Sequence, residues 1–243
     1  MTYIDGFVLA VPAVNKAAYE AHARAGAALL AASGAGRQTE GWGDDVPHGT
    51  LTDFHRAVQA TPDETVVFSW IEYPDKAARD TVGVRVMAAP EMEELAAAMP
   101  SDGKRMIYGG FEVMLDGGSP SDVTGYVDGF LMVVQDRAAY ADMAKKAAVV
   151  FREHGATRIV EAWGHDVPDG AVTSFARATH LQDGETLVFS WCEWPSKAVR
   201  DAGMAATMAD ERMQTPWDAL PFDGKRMIHG GFAVLDIRPA PHA

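Results

Sequence analysis

The chain states one pattern twice. Trp42-Gly43-Asp44-Asp45-Val46-Pro47 returns as Trp163-Gly164-His165-Asp166-Val167-Pro168, and Val67-Phe68-Ser69-Trp70 returns as Val188-Phe189-Ser190-Trp191. Gly103-Lys104-Arg105-Met106-Ile107 returns as Gly224-Lys225-Arg226-Met227-Ile228, followed each time by Gly-Gly-Phe. The copies lie 121 residues apart (163 minus 42, 191 minus 70). A repeat this long is a duplicated domain, because solenoid units run only ~20–50 residues. In 243 residues each half is one small domain, and 48% apolar residues suffice for a sizeable core.

Local patterning predicts the same element order in each half. Tyr3 to Val11 is β-favouring, and its Asp5-Gly6 pair, repeated at Asp128-Gly129, marks a bulge or a close backbone contact. Asn15 suits a helix N-cap, Ala17 to Ala32 a helix, and Gly34 its C′ stop. Arg37 to Trp42 reads as a strand. The turn-rich segment Asp44 to Pro62 reads as an excursion with a short extended piece near Arg56-Ala57-Val58. Thr65 to Tyr73 is the clearest strand, Asp75 to Ala89 a helix, Glu91 to Met99 a further short helix, and Arg105 to Leu115 the last strand. The predicted fold class is therefore α+β. Two ferredoxin-like βαββαβ repeats pack sheet-to-sheet as an intrachain α+β barrel of the dimeric type. The first repeat spans residues 1–117, a Gly/Ser/Pro linker 118–124, the second repeat 125–238 and a tail 239–243.

Bulk chemistry narrows the partners. The net charge of −13 and the lack of a basic patch argue against nucleic acid or an anionic membrane face. No apolar run reaches the ~18 residues that span a bilayer. The first residues lack a basic stretch followed by an apolar one, so no signal peptide is expected, and the single Cys192 allows no internal disulfide. A cytoplasmic protein acting on a small organic molecule is the expectation, either as a monomer with an internal pseudo-dimer or as a homodimer.

Certain polar residues persist in both copies: Glu40/Glu161, Asp45/Asp166, Glu72/Glu193, Arg37/Arg158, Arg79/Arg200 and Arg105/Arg226. Glu40 and Trp42 share one face of their strand, as do Trp70 and Glu72 of theirs. A pocket built from these four, with Glu161, Trp163, Trp191 and Glu193 as counterparts, would partly desolvate the carboxylates and raise their pKa toward acid–base work. The competing reading pairs the glutamates with Arg37, Arg79 or Arg105 as an interface ion network. Asp45 and Asp166 sit at a strand exit, either rimming a pocket or closing an Asx-turn. Arg105 and Arg226 could hold an anionic substrate or simply be solvated. Where the copies differ, Asp44 becomes His165 and Tyr108 becomes His229, two candidate bases near neutral pH, although a scattered histidine is more often a surface or packed residue. Metal-ligand spacings, dinucleotide and phosphate-loop fingerprints and a serine nucleophile elbow are all absent from the sequence, so no cofactor and no metal is expected. The methionines, Met87, Met92, Met99 and Met106 among them, read as core filler.

Four ordered motifs carry a family resemblance. Asp-Gly-Phe, Glu-x-Trp-Gly-x-Asp-Val-Pro, Val-Phe-Ser-Trp-x-Glu-x-Pro and Asp-Gly-Lys-Arg-Met-Ile-x-Gly-Gly-Phe together resemble the bacterial YbaA-like domain-of-unknown-function family, over both halves almost end to end. The resemblance implies the dimeric α+β barrel fold and no particular reaction. The wider superfamily holds cofactor-free oxygenases, isomerases, dehalogenase-like enzymes and haem proteins. This chain departs from the usual single-domain form by being a covalent tandem. The expectation is a metal- and nucleotide-independent enzyme of isomerase, cyclase or cofactor-free monooxygenase type using Glu acid–base chemistry in a Trp-lined barrel cleft. Its rival is a non-catalytic small-molecule-binding or stress-related barrel protein.

Overall fold

The computed structural model describes residues 1–121, 123–216 and 219–237. Eight antiparallel strands run β1 (Tyr3–Pro12), β2 (Gln38–Asp45), β3 (Glu64–Tyr73), β4 (Ile107–Gly118), β5 (Tyr126–Val134), β6 (Arg158–Asp166), β7 (Thr186–Trp194) and β8 (Ile228–Val234). They close into one barrel in the order β1-β3-β2-β8-β5-β7-β6-β4. Counted from β4, the first-half strands lie as β4-β1-β3-β2 and the second-half strands as β8-β5-β7-β6. The halves join at strand edges, β2 to β8 and β4 to β6, rather than as two separate stacked sheets. Closure removes every free edge, which a half taken alone would expose at β2 and β4.

Outside the barrel lie the long helices α1 (Lys16–Ser33), α3 (Lys76–Ala88), α5 (Arg137–Glu153) and α7 (Lys197–Ala209). The short helices are α2 (Phe54–Ala57), α4 (Glu91–Ala97) and α6 (Phe175–Ala178). Gly34 ends α1 at φ 101°, the left-handed conformation that favours glycine. Asn15 is the N-cap residue of α1 but makes no capping bond; its Nδ2 donates to Pro100 O at 3.0 Å instead. The extended piece expected near Arg56 is helix α2, because the buried Asp53 carboxylate accepts from Arg56 N at 2.8 Å and nucleates a turn. Strand β4 continues through Gly117 and Gly118, which pair with Ile159 and Arg158, so Gly118, read as the start of the linker, is sheet. The tail at 239–243 lies outside the described residues.

Strand alternation sends Val66, Phe68, Trp70 and Glu72 of β3 inward, while Ser69 and Ile71 face the helices. An eight-stranded barrel is just wide enough to be filled by side chains. Here Phe68 stacks on Phe189 at 4.5 Å and Trp70 on Trp191 at 4.4 Å, all fully buried, across the boundary between halves. A Cβ on Gly6 would stand 2.7 Å from the Phe189 ring, and one on Gly129 would stand 2.9 Å from Phe68. Each Asp-Gly pair thus leaves room for the other half's phenylalanine. Phe54 and Phe175 plug one end of the barrel, where the Thr52 hydroxyl donates to Ala178 O and that of Thr173 to Ala57 O. Packed rings of Phe68, Trp70, Phe189 and Trp191 occupy the barrel interior where a Trp-lined cleft was expected.

Candidate functional site

At the other end of the barrel the indole N–H groups of Trp70 and Trp191 each donate to a glutamate two residues on, Glu72 and Glu193, at 3.1 Å. Arg158 binds Glu72 through two nitrogens at 2.8 and 2.9 Å, and Arg37 binds Glu193 the same way at 2.7 and 2.9 Å. Each pair crosses between the halves. Burial pushes the Glu193 carboxyl up, but Arg37, Thr124 and Trp191 together carry it below the usual carboxylate range. Glu72 and Glu193 are therefore ion-paired with Arg158 and Arg37, and Trp70 and Trp191 are packed on each other. This is an ion network between the halves, as in the competing sequence reading, but of the arginines named there Arg37 takes part, while Arg158 stands where Arg79 or Arg105 was expected.

The remaining paired charges also have partners. Arg105 forks onto Glu64 at 2.6 and 2.8 Å, and Arg226 onto Glu185 at the same distances. Asp45 accepts from Arg200 at 2.9 Å and Asp166 from Arg79 at 3.2 Å; both bonds again cross between halves, and the Asx-turn expected at Asp45 gives way to this ion pair. His165 Nδ1 lies 3.2 Å from the Tyr3 hydroxyl on an exposed rim, while His229 is exposed on β8. Cys192 is buried, and burial pushes its thiol well up, as befits a packing residue. Among the described residues no group of three or more His, Cys, Asp or Glu is arranged to hold a metal ion. No described helix is long and apolar enough to cross a membrane.

The expected four-residue pocket fails on register. Thr39 stands opposite Trp70 and Glu40 opposite Ser69, so Glu40 and Trp42 face outward while Trp70 and Glu72 face in. Trp42 packs beneath α1 with Tyr19, and Trp163 lies under the Arg137 guanidinium. Of the expected residues, Glu40 lines a cavity. That cavity, about 150 Å³, lies on the outer face of the first-half sheet beneath α1. Leu9, Ile71, Met99 and Met106 supply apolar walls, while Tyr19, His22, Gln38 and Ser69 supply polar atoms.

Glu40 is 5% exposed. The Tyr19 hydroxyl donates to its Oε2 at 2.7 Å and Gln38 Nε2 to its Oε1 at 2.8 Å, and the Ser69 hydroxyl bonds it as well. Burial raises its pKa, and these three donors oppose the rise. Tyr19 stays protonated, because burial and the adjacent carboxylate push its phenol far up. The result is a buried carboxyl group, its pKa raised by burial, beside the apolar walls of the cavity.

The sequence reading missed Tyr19, His22, Gln38 and Ser69, and it placed Met99 and Met106 in the core. A signal was present for two of them. Tyr precedes Glu by 21 residues in both copies, at Tyr19/Glu40 and Tyr140/Glu161, and Ser69 and Ser190 sit inside the repeated Val-Phe-Ser-Trp.

Comparison with known proteins places this geometry among relatives. Escherichia coli K12 "Uncharacterized protein YbaA" is 53% identical over 114 residues, covering 46% of this chain and 97% of that protein. Two crystal structures share the fold at 11% identity. A candidate monooxygenase from Fusobacterium nucleatum has a TM-score of 0.58 over 97% of this chain and 93% of that one. A second, from Lactobacillus acidophilus, has a TM-score of 0.57 over 96% and 93%. The sequence pattern described as "Protein of unknown function (DUF1428)" matches residues 2–103 and again 125–224, so the chain belongs to that family, twice over.

Proposed function

We propose that the chain is a small-molecule enzyme whose site is the outer-face cavity of the first half, with Glu40 as its acid–base group. The observation that carries this reading is a buried carboxyl with a raised pKa at the floor of an apolar cavity about 150 Å³ in size. Glu40 would remove a proton from one position of a bound organic molecule and return it at another, while Tyr19 donates to the carboxylate and holds its orientation. That transfer is common to isomerisation, to cyclisation and to the deprotonation that begins cofactor-free oxygenation. The fold shared with candidate monooxygenases is compatible with it, though a fold alone does not carry function. The same proposal includes a cytoplasmic location and a site that works without metal or nucleotide. It also treats the chain as a covalent pair of ferredoxin-like repeats, 1–117 and 125–238, in place of two separate subunits.

Hydrogen–deuterium exchange tests the site without knowledge of the substrate. A panel of small cyclic ketones in D₂O, followed by NMR, is expected to exchange α-protons faster with the protein than without. Glu40→Gln lowers that enhancement about 10²–10⁴-fold, the usual worth of a positioned general base, while Glu161→Gln leaves it intact. Equal exchange in both variants and the wild type sinks the reading.

One observation favours a non-catalytic binding protein instead. The trio Tyr140, Glu161 and Ser190 repeats the arrangement in the second half, where Met143, Phe222 and Met227 fill the space around Tyr140. If the trio is only structural, Glu40→Gln and Glu161→Gln lower the melting temperature alike and no panel compound exchanges.

A further inference from the structure

Helix α1 carries a glycine in its middle, where glycine is among the least favourable residues; the same position of α5 holds Ala147. Two ordinary reasons for a glycine do not apply to Gly26. It is not among the glycines of positive φ, and no neighbour presses on it: a Cβ there would meet nothing within 4 Å, whereas one on Gly6 or Gly129 would meet a phenylalanine ring. The helix gives the missing side chain a direction. Gly26 follows Tyr19 by seven residues, about two turns, so both project along one line of the helix, with His22 and Ala23 on either side of it. That line faces the sheet, because the Tyr19 hydroxyl bonds Glu40 of β2 at 2.7 Å and Ala23 is buried. All four residues line the cavity beneath α1. Gly26 therefore opens onto the space between helix and sheet.

The walls of that space constrain its occupant. Leu9, Ile71, Met99 and Met106 are apolar, and about 150 Å³ suits one six-membered ring, since an engineered cavity of that order binds benzene. Glu40 is a lining residue and no lysine or arginine is, so nothing there offsets the burial of an anion. A cation would find the Glu40 carboxylate already bonded by Tyr19, Gln38 and Ser69. Resting on the reading that this cavity is the functional site, we infer that it takes an uncharged apolar compound of a single six-membered ring, and that Gly26 sets the size it admits. A substituent on the ring extends into the space that Gly26 leaves. Alanine, the residue of α5, would take part of that space for itself.

A size series on the full chain tests this, followed by NMR titration of the Met99 and Met106 methyl signals. The wild type is expected to bind benzene and toluene, to hold benzoate at least about tenfold more weakly than toluene, and to show no shift with the two-ring biphenyl. One methylene more or less in an apolar pocket is worth about 10–200-fold. Gly26→Ala is therefore expected to weaken toluene at least about tenfold while benzene changes less than about threefold. The melting temperature of that variant should stay at or above that of the wild type, because alanine favours the helix and its methyl meets no atom. A shift in the toluene-to-benzene ratio is something a merely structural glycine would not produce. Benzene and toluene weakened alike, or neither weakened, by Gly26→Ala overturns the inference. So does biphenyl or benzoate bound as tightly as toluene, or a wild type in which no ring compound shifts Met99 or Met106. The acid–base reading fails separately. Toluene binding governed by Gly26, with deuterium exchange indifferent to Glu40→Gln, keeps the size limit and removes the chemistry; exchange that needs Glu40, with no ring compound bound, does the reverse.

Discussion

The outer faces beneath α1 and α5 start from the same parts and end differently. Each has a tyrosine donating to a buried glutamate, Tyr19 to Glu40 at 2.7 Å and Tyr140 to Glu161 at 2.6 Å, with a strand serine behind it. Under α1, Gln38 gives the carboxylate a third donor and the small Gly26 leaves space open. Under α5, Ile159 gives no donor, and Met143 and Phe222 close in around Tyr140. Glu161 accordingly has its pKa pushed up to about 7 by burial, with only Tyr140 and Ser190 opposing. The lesson is that the repeated trio sets the carboxyl in place, while unrepeated neighbours such as Gln38 and its counterpart Ile159 decide how many donors meet it.

The barrel-mouth network offers the sharpest break in the symmetry. Arg158 is 2% exposed and holds Glu72 and Asp116 while touching Glu193, whereas Arg37 is 25% exposed and holds chiefly Glu193. Removing one member of a buried pair leaves an uncompensated charge and costs about 3–5 kcal/mol. Arg158→Ala is expected to fall in that range. Arg37→Ala is expected to cost clearly less, because Arg37 is itself 25% exposed and Glu193, though fully buried, keeps Arg158, Thr124 and Trp191 as partners. Urea unfolding of the two variants measures both. Equal losses would mean that the halves share the network evenly and that exposure does not grade it.

The two glutamates give the next largest contrast. For Glu161 the folded pKa of about 7 lies above the unfolded value of 4.5, so between these the native state binds more protons than the unfolded chain. Stability from this group is complete below pH 4.5 and is lost as pH rises through 7, by roughly 3 kcal/mol over the whole span. Glu161→Gln removes that slope, and the variant should gain on the wild type at pH 8. Glu40→Gln should flatten the profile less, since a third donor favours the ionised form of Glu40. Melting temperatures taken from pH 5 to pH 8 decide it; parallel profiles for wild type and Glu161→Gln would discard the contrast.

How much of this the sequence carried depends on which interactions set each feature. The tandem, the α+β class and most strands followed from local patterning, because alternation and turn residues act within a few positions. Gly6 was read as a bulge or a close contact; the contact is with Phe189, which comes from the other half and which no local signal could name. Parity put Glu40 with Trp42 and Trp70 with Glu72 on shared faces, which holds. It did not say which face was inward, and that depends on the β2–β3 register, Thr39 against Trp70. The pocket was therefore assembled from residues on opposite sides of one sheet. Arg37 was named as a partner for the glutamates, and it stands 3.6 Å from Glu72, but its shorter, two-pronged bond goes to Glu193 of the other half, which no local signal could name. Helix α2 was missed since four residues carry too little periodicity, and its start is set by the buried Asp53 carboxylate.

The smallest expected effect separates the starts of α1 and α5. Asp136, at the N-cap of α5, accepts from Ala138 N and Ala139 N, both at 3.0 Å. Asn15, 121 residues earlier, caps nothing and instead donates to Pro100 O, next to the cavity wall residue Met99. Asp136→Ala should cost about 1 kcal/mol of stability, the usual loss of a cap. Asn15→Ala should cost about 0.5 kcal/mol, since only a partly solvated hydrogen bond is lost. Its consequence falls elsewhere: with Pro100 untied, Met99 packs less firmly over the cavity and bound toluene leaves faster, while Asp136→Ala leaves toluene exchange unchanged. Line-shape analysis of the Met99 methyl signal reads this in both variants. If Asn15→Ala destabilises the fold as much as Asp136→Ala with no change in exchange, Asn15 serves the helix after all and the two starts are equivalent.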